Sequence, residues 1–283
     1  MVEIIKTGLY DSIQDLGRHG FQHYGVPFSG AMDKYSAKLA NAMLDNPLDS
    51  AVIEFTLIGP KLKFHEQTKI CISGAESNPK LNDELIKNNQ VIKIMPNDTL
   101  SFGACEQGVR GYIAIFGGFR TEEVMGSRSM YTNITGQSRL KTEDLLPIES
   151  VPNTDNSNPV SVNISTSHFN SEYLEVMPGI EFQNISQKVK RKLFEQSFTV
   201  SSVSNRMAYQ CNETIENNLS PIITSMVLPG TVQLTPSGQI VILMRDCQTT
   251  GGYPRILQLT EKSIDRLSQR KTGDFIRFSR NFE

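Results

Sequence analysis

The sequence predicts a mainly β protein with a few helices, arranged as two β-barrel-like subdomains. Short segments rich in β-branched and aromatic residues recur along the chain, each bounded by Gly, Asn, Asp or Pro, as is typical of strands. They are TKICIS (68–73), QVIKIM (90–95), GYIAIF (111–116) and FIRF (275–278). Helical patterns are few and isolated. This combination favours barrel-like β units over a parallel sheet with regular crossover helices.

One hairpin can be placed from the sequence. The segments TVQLT and QIVIL flank a three-residue loop, PSG, within residues 231–243. Gly238 ends this loop, where three-residue hairpins commonly need a left-handed backbone conformation that glycine adopts easily.

The first predicted helix covers residues 33–46. Asp33 can cap its N-terminus, and Asn46 followed by proline ends it. Tyr35, Leu39 and Met43 recur every four residues, which is the spacing of one helix face.

Two further helices are predicted over 186–197 and 260–271, beginning at Ser186 and Thr260, which can cap them. Their expected buried faces consist of Val189 and Leu193 in the former and Ile264 and Leu267 in the latter.

A polar segment divides the chain. VPNTDNSNPVSVN (151–163) is rich in Pro, Asn and Ser and has no apolar periodicity, as expected for a connector. The sequence therefore predicts an N-terminal β-rich subdomain over 1–150 and a C-terminal subdomain over 164–283.

Composition excludes several classes of partner. The net charge is −2 without a basic stripe, so nucleic acid is not an expected partner. The longest apolar runs, such as QIVILM (239–244), are far shorter than the roughly 18 residues of a membrane span. The first residues lack a secretory pattern and the four cysteines lack a C-x-x-C motif, which together favour a cytoplasmic protein with reduced thiols.

The first candidate site is QDLGRHGFQHYGVPFSGAMD (14–33), which has too many glycines for a regular element. Arg18 can hold a carboxylate with two hydrogen bonds. Asp15 or Asp33 can act as a general base or orient that arginine, although Asp33 serves equally well as a helix cap. His19 and His23 have no visible third ligand, so no metal site is predicted.

Each of two shorter motifs allows two interpretations. In SNRMAY (204–209), Arg206 can reach an anionic ligand or lie on an ordinary surface turn. In GSRSMY (126–131), the backbone can form an anion-binding nest or a common loop.

The last candidate is DCQTTGGYP (246–254), which follows an apolar strand. The hydroxyls of Thr249 and Thr250 and the unshielded backbone of Gly251 and Gly252 can donate to a carbonyl or carboxylate, as in an oxyanion site. A β-bulge and turn explains the same residues. Cys247 needs a neighbouring base to serve as a nucleophile.

These motifs occur together and in order in one known family. QDLGRHGFQHYGVPFSGAMD, EFTLIGPKLKF, FGGF, MGSRS, SNRMAY and DCQTTGGYPRI make the chain resemble, over about residues 4–278, the KipA family. Its members are also called the C subunit of 5-oxoprolinase, allophanate hydrolase subunit 2, or the carboxyltransferase A and B subdomains of urea carboxylase. His19 and Ala208 depart from the usual Pro and Gly, and neither change removes a charged or hydroxyl group.

The resemblance implies a cyclophilin-like C-terminal subdomain and a role in a complex. Two partner proteins are expected, one KipI-like and the other LamB/YcsF-like. This complex uses ATP to open the lactam of 5-oxo-L-proline to L-glutamate. The chain itself has no P-loop, so it is expected to bind no cofactor alone and to be inactive alone.

Site residues follow from the matching motifs. The expected catalytic residues are Asp15, Arg18, Arg206 and Asp246. The expected substrate-binding residues are Gln14, Asp33, Gln248, Thr249, Thr250, Gly251 and Gly252.

Two other functions remain open at this point. The first is a biotin-dependent carboxyltransferase of the urea carboxylase type, with biotin on a separate carrier. The second is a non-catalytic antagonist of a KipI-like inhibitor of a histidine kinase.

Overall fold

The computed structural model describes residues 1–149 and 167–281. Its contacts divide the chain into two compact units, Met1–Arg18 with Ser29–Thr166 and His19–Phe28 with Ser167–Glu283. The predicted connector, 151–163, lies outside the described residues, so the subdomain boundaries stay predictions.

The mainly β prediction is confirmed, because twenty strands and four α-helices form in the described part of the chain. The strands of the first unit are β1 Val2–Lys6, β2 Tyr10–Gln14, β3 Val52–Thr56, β4 Lys61–Phe64, β5 Thr68–Glu76, β6 Lys80–Leu81, β7 Glu84–Leu85, β8 Val91–Ile94, β9 Thr99–Ser101, β10 Gln107–Ile115 and β11 Leu145–Leu146. They form a six-stranded sheet in the order β11-β1-β4-β9-β6-β7 and a five-stranded sheet in the order β2-β3-β10-β5-β8.

Strand β10 illustrates why this unit needs apolar residues on both faces of its five-stranded sheet. Side chains alternate across a strand. Ile113 and Ile115 point into the hydrophobic cluster that takes residues from both sheets. Tyr112 and Ala114 point to the opposite face, where they contact helix α1, Lys34–Met43.

Helix α1 confirms the first predicted helix, but the residues that recur every four positions do not all lie against the sheet. Asp33 caps it as expected, by accepting a hydrogen bond from the backbone of Ser36 at 3.0 Å. Tyr35 is exposed, whereas Ala37 and Ala40 are buried against the sheet. Small side chains allow the helix to approach the sheet closely, so the large residues that recur every four positions do not mark the buried face.

The second unit consists of nine strands and three helices. Its strands are β12 Tyr173–Pro178, β13 Phe198–Thr199, β14 Ala208–Thr214, β15 Ser225–Met226, β16 Thr231–Leu234, β17 Gln239–Leu243, β18 Thr250–Gly251, β19 Arg255–Leu259 and β20 Phe275–Arg280. Its helices are α2 Ser167–Asn170, α3 Gln187–Glu195 and α4 Glu261–Ser268. Two short 3₁₀ helices cover Gln22–Tyr24 and Phe182–Asn184.

Seven of these strands form a nearly closed barrel. Their order is β13-β20-β12-β19-β16-β17-β14. The two outer strands meet where Val200, directly after β13, bridges to Cys211 in β14. Closure of this kind removes exposed sheet edges. The likeness to cyclophilin stays a prediction.

The local predictions for this unit hold. Ser186 and Thr260 cap α3 and α4, and the four residues expected on their inner faces are buried. The hairpin is formed by β16 and β17, and Gly238 has a φ of 88°. None of the helices among the described residues is long and apolar enough to cross a membrane.

Candidate functional site

The predicted site residues fall into two sets. Gln14, Asp15, Arg18 and Asp33 belong to the first unit. The second unit holds the others, Arg206, Asp246, Gln248, Thr249, Thr250, Gly251 and Gly252. Each set is described within its own unit.

The Asp15 carboxylate binds the segment that the sequence marked as a possible anion nest. Its Oδ1 accepts hydrogen bonds from the hydroxyls of Ser127 at 2.8 Å and Ser129 at 2.6 Å and from the backbone of Gly17 at 2.8 Å. Its Oδ2 accepts one from the backbone of Arg128 at 2.6 Å. The nest thus holds an anion, and that anion is a side chain of the protein itself.

Arg18 binds backbone carbonyl groups of the same loop. The side chain is fully buried, and its guanidinium donates to the carbonyls of Val124 at 2.9 Å and Ser129 at 3.0 Å. Asp15 and Arg18 together therefore satisfy the N–H, hydroxyl and carbonyl groups of one loop more than 100 residues away. This geometry favours a positioning role for both residues, and their catalytic roles stay predictions.

Gln14 and Asp33 are also buried and hydrogen-bonded within the unit. The Gln14 amide donates to the Ser12 hydroxyl at 2.9 Å. The Asp33 carboxylate accepts from Ser36 Oγ at 2.7 Å, and its backbone N–H donates to the Tyr112 hydroxyl at 2.7 Å. The helix-cap interpretation of Asp33 is confirmed, and substrate binding by either residue stays a prediction.

A cavity of about 420 Å³ lies beside the Asp15 loop. Asp15, Ser127 and Arg128 line it together with Arg120 and Glu149. Arg120 forms an ion pair with Glu149, and both side chains are about half exposed. Arg120 was not among the predicted site residues. It is the last residue of the FGGFR segment, and a charged residue so soon after two glycines is a usable sequence signal.

In the second unit, Arg206 and Asp246 form one ion pair, and their catalytic roles stay predictions. Arg206 Nε and Nη2 donate to the two carboxylate oxygens of Asp246 at 2.6 and 3.1 Å. The backbone N–H of Asp246 also donates to the carbonyl of Arg206 at 3.1 Å. Both side chains are at most 10% exposed, so this two-pronged pair ties SNRMAY to the start of DCQTTGGYP.

The TTGG segment is a short strand. Thr250 and Gly251 pair with Met226 and Ser225, so part of the backbone is used within the protein. The Gln233 side chain packs directly against Gly251, where a Cβ atom would lie 2.6 Å from its Nε2. The side chain of Gln248 is exposed, and within the described residues neither threonine hydroxyl makes a hydrogen bond.

Arg255 was not among the predicted site residues. It binds β15, the strand that pairs with the TTGG segment. Its guanidinium donates to the Ser225 hydroxyl at 2.8 Å and to the Met226 carbonyl at 2.9 Å. It also binds both carboxylate oxygens of Glu181. Hydrogen bonding between the two raises the pKa of Arg255 and lowers the pKa of Glu181.

The cysteines do not offer a nucleophile. Cys247 is 3% exposed, and burial raises the pKa of its thiol to about 12. Burial also raises the pKa of Cys71 to about 12, that of Cys105 to about 11, and that of Cys211. A thiolate is the reactive form, so all four thiols are poorly reactive near neutral pH.

Metal ligands are not clustered in the part of the chain that the structure describes. There, no three His, Cys, Asp or Glu side chains are grouped so that they can hold one ion. The arginines, hydroxyls and backbone groups of these two sets can supply hydrogen-bond donation and charge stabilisation.

Known proteins with similar sequences agree on the family. The model for "Carboxyltransferase domain, subdomain A and B" matches residues 24–280. The C subunit of 5-oxoprolinase from Escherichia coli (strain K12) is 30% identical over 98% of this chain and 90% of that protein. A urea amidolyase of Lachancea kluyveri is 29% identical over 98% of this chain and 17% of that protein.

A solved structure has the same fold. The Kluyveromyces lactis urea carboxylase matches with a TM-score of 0.87 and 28% identity, over 98% of this chain. The chain spans only 27% of that larger protein. The family model and the E. coli protein each match nearly the whole sequence, so this chain belongs to the carboxyltransferase domain, subdomain A and B, family.

Proposed function

We propose that this chain is the C subunit of a cytoplasmic, ATP-dependent 5-oxoprolinase complex that helps convert 5-oxo-L-proline to L-glutamate. The observation that carries the proposal is the end-to-end match to the corresponding E. coli 5-oxoprolinase protein, 90% of which is covered. The urea amidolyase match covers only 17% of its protein. The larger share of the E. coli protein that is matched supports the 5-oxoprolinase assignment over urea amidolyase.

The TTGG strand supplies hydrogen-bond donors suited to the carbonyl oxygen of the lactam. Opening a lactam by water places negative charge on the carbonyl oxygen, and donors aimed at that oxygen stabilise the transition state. The hydroxyls of Thr249 and Thr250 have no hydrogen-bond partner within the described residues, so they are available as such donors. The Arg206–Asp246 ion pair holds the turn that presents them.

The remaining chemistry belongs to the partners. The sequence has no P-loop, so a KipI-like protein and a LamB/YcsF-like protein are expected to complete the active site and to use ATP. This chain binds no cofactor alone and is inactive alone under the proposal. Its contribution is to position the substrate and stabilise charge.

A second candidate function is biotin-dependent carboxyl transfer. The family description and the urea carboxylase structure favour it, because both refer to carboxyltransfer proteins. Under this alternative, a separate carrier protein delivers carboxybiotin, and the same threonine hydroxyls bind the carbonyl of a urea-like substrate.

Reconstitution tests the leading proposal. The chain is mixed with its KipI-like and LamB/YcsF-like partners, 5-oxo-L-proline and ATP, and L-glutamate is measured with and without this chain. We expect glutamate only when all three proteins are present. Replacing one donor to a developing oxyanion typically lowers kcat by about 10²-fold or more, so Thr250→Val is expected to cause a loss of this order.

Matched controls make the result specific. Thr272→Val changes an exposed threonine outside the candidate site and should leave the rate unchanged. Glutamate formation without this chain would overturn the proposal. Carboxylation of a urea-like substrate by added carboxybiotin carrier, with no glutamate formed, would favour the second candidate.

A further inference from the structure

A second cavity of the first unit, of about 480 Å³, has the features of a small-molecule site. Its volume lies in the usual range for ligand pockets, about 300–1,000 Å³. Met130, Leu140 and Leu146 form an apolar wall, and Arg120 and Arg128 are the positively charged residues of the lining. An apolar cleft with a few convergent polar groups is the usual form of a binding site for a small organic molecule.

The two arginines have partners that a ligand can replace. Arg120 pairs with Glu149, whose side chain is 48% exposed. Arg128 pairs with Glu123 at 3.3 Å, and that glutamate is 54% exposed. Ion pairs with such exposed carboxylates contribute at most about 1 kcal/mol. A ligand carboxylate held in the cleft, where water is partly excluded, can therefore compete with them.

Two further features prepare this wall of the cavity for a ligand. Thr121 lines the cavity, and its hydroxyl, which is buried, has no hydrogen-bond partner among the described residues. The backbone on either side of Arg128 is fixed by the hydrogen bonds of Asp15 and Arg18. A fixed backbone lowers the entropy lost when a ligand is bound.

The charges of the lining select the type of anion. Glu122 and Asp144 also line the cavity, so two positive and two negative side chains cancel. A phosphate dianion would be repelled by the two carboxylates. A monocarboxylate that also carries N–H groups can instead use guanidinium groups at one end and carboxylates at the other.

From these observations we infer that this cavity binds a small monocarboxylate bearing an amide or amino N–H and an apolar body. A cyclised amino acid such as 5-oxo-L-proline has this chemistry, whereas L-glutamate carries a second carboxylate. That choice of ligand rests on the proposed function, whereas the class of ligand rests on the cavity alone. Arg120 and Arg128 hold the carboxylate, and the apolar wall contacts the carbon skeleton.

Calorimetric titration of the full chain tests the inference directly. The probes are 5-oxo-L-proline, L-glutamate, inorganic phosphate and pyrrolidin-2-one, which is the lactam without its carboxylate. Loss of a hydrogen bond to a charged group costs about 1.5–3 kcal/mol, equivalent to about 10- to 100-fold in affinity. We expect at least about tenfold weaker binding for pyrrolidin-2-one and for the Arg120→Gln variant.

The control variant is Lys61→Gln, which removes the same charge from an exposed position outside the cavity and should bind like the wild type. Arg128→Gln is a second test, provided that its circular dichroism and melting temperature match those of the wild type. Unchanged affinity in Arg120→Gln, equal binding of pyrrolidin-2-one, or tighter binding of phosphate would each overturn the inference.

The titration also separates this inference from the proposed function. Glutamate formation by the complex without any carboxylate binding to this chain would refute the cavity and leave the function intact. Binding that is lost in Arg120→Gln, in a complex that forms no glutamate, would support the cavity and refute the function.

Discussion

Asp11 gives the first unit a pH-dependent stability that can be measured. The residue lies in β2 and is 2% exposed. Its Oδ2 accepts a hydrogen bond from the backbone of Gly8 at 2.5 Å, while its Oδ1 has no partner among the described residues. Burial raises the pKa of this carboxyl from 3.8 to about 6, against a smaller lowering by the Gly8 hydrogen bond.

The magnitude follows from the size of the pKa shift. A shift of about two pKa units at about 1.4 kcal/mol each corresponds to about 3 kcal/mol. The folded state holds the proton more tightly than the unfolded state, so the stabilising contribution is complete below about pH 4 and is lost as the pH rises to about 6. Above about pH 6 this stabilising contribution is absent and no longer changes with pH.

Urea unfolding from pH 4 to pH 8 isolates this contribution. Asp11→Asn cannot ionise and keeps an acceptor for Gly8, so the difference between wild type and variant should change by about 2 kcal/mol over the lower half of this range. Asp83→Asn, at an exposed turn, should follow the wild type. A wild-type curve that stays parallel to the Asp11→Asn curve at every pH would show that Asp11 does not carry the shifted proton.

Two further changes test the packing of each unit. Arg245 is 1% exposed and pairs with Glu261 at 2.8 Å and Asp265 at 2.9 Å. Arg245→Met should lower the free energy of unfolding by about 3–5 kcal/mol, because it removes the guanidinium that pairs with the buried Asp265 carboxylate. Adding Asp265→Leu should restore part of this loss. If the double variant showed no recovery, the ion-pair explanation would be contradicted. A Cβ atom at Gly111 would lie 2.0 Å from Cζ of Phe55, so Gly111→Ala should cost about 1–3 kcal/mol in urea unfolding, and wild-type stability would contradict this.

Local sequence signals predicted the helix starts and the hairpin, because caps and turns depend on residues that are neighbours in the sequence. Asp33, Ser186 and Thr260 cap the helices as their side chains suggest, and Gly238 takes the left-handed conformation that the hairpin loop needs. The repeat of Tyr35, Leu39 and Met43 did not by itself identify which residues of α1 are buried, because an apolar repeat reports the size of side chains and not the distance between a helix and a sheet.

The candidate site was only partly predictable. QDLGR and GSRS were recognised as separate motifs, but their hydrogen bonds join residues more than 100 positions apart. Sequence offered a ligand as the partner of Arg18, whereas the structure gives it backbone carbonyls. The link between Arg206 and Asp246 likewise joins the chain just before β14 to the chain just after β17 and depends on the register of these two strands, which no local pattern specifies.

The burial of the native thiols makes the chain convenient for chemical labelling. Because their raised pKa values leave little thiolate near neutral pH, maleimide reagents should react slowly with all four. A single cysteine introduced at an exposed position would then be modified selectively, and the native cysteines would not need to be removed. A fluorophore attached in this way, next to the TTGG strand for example, would report the arrival of a substrate or a partner protein on an otherwise unaltered chain.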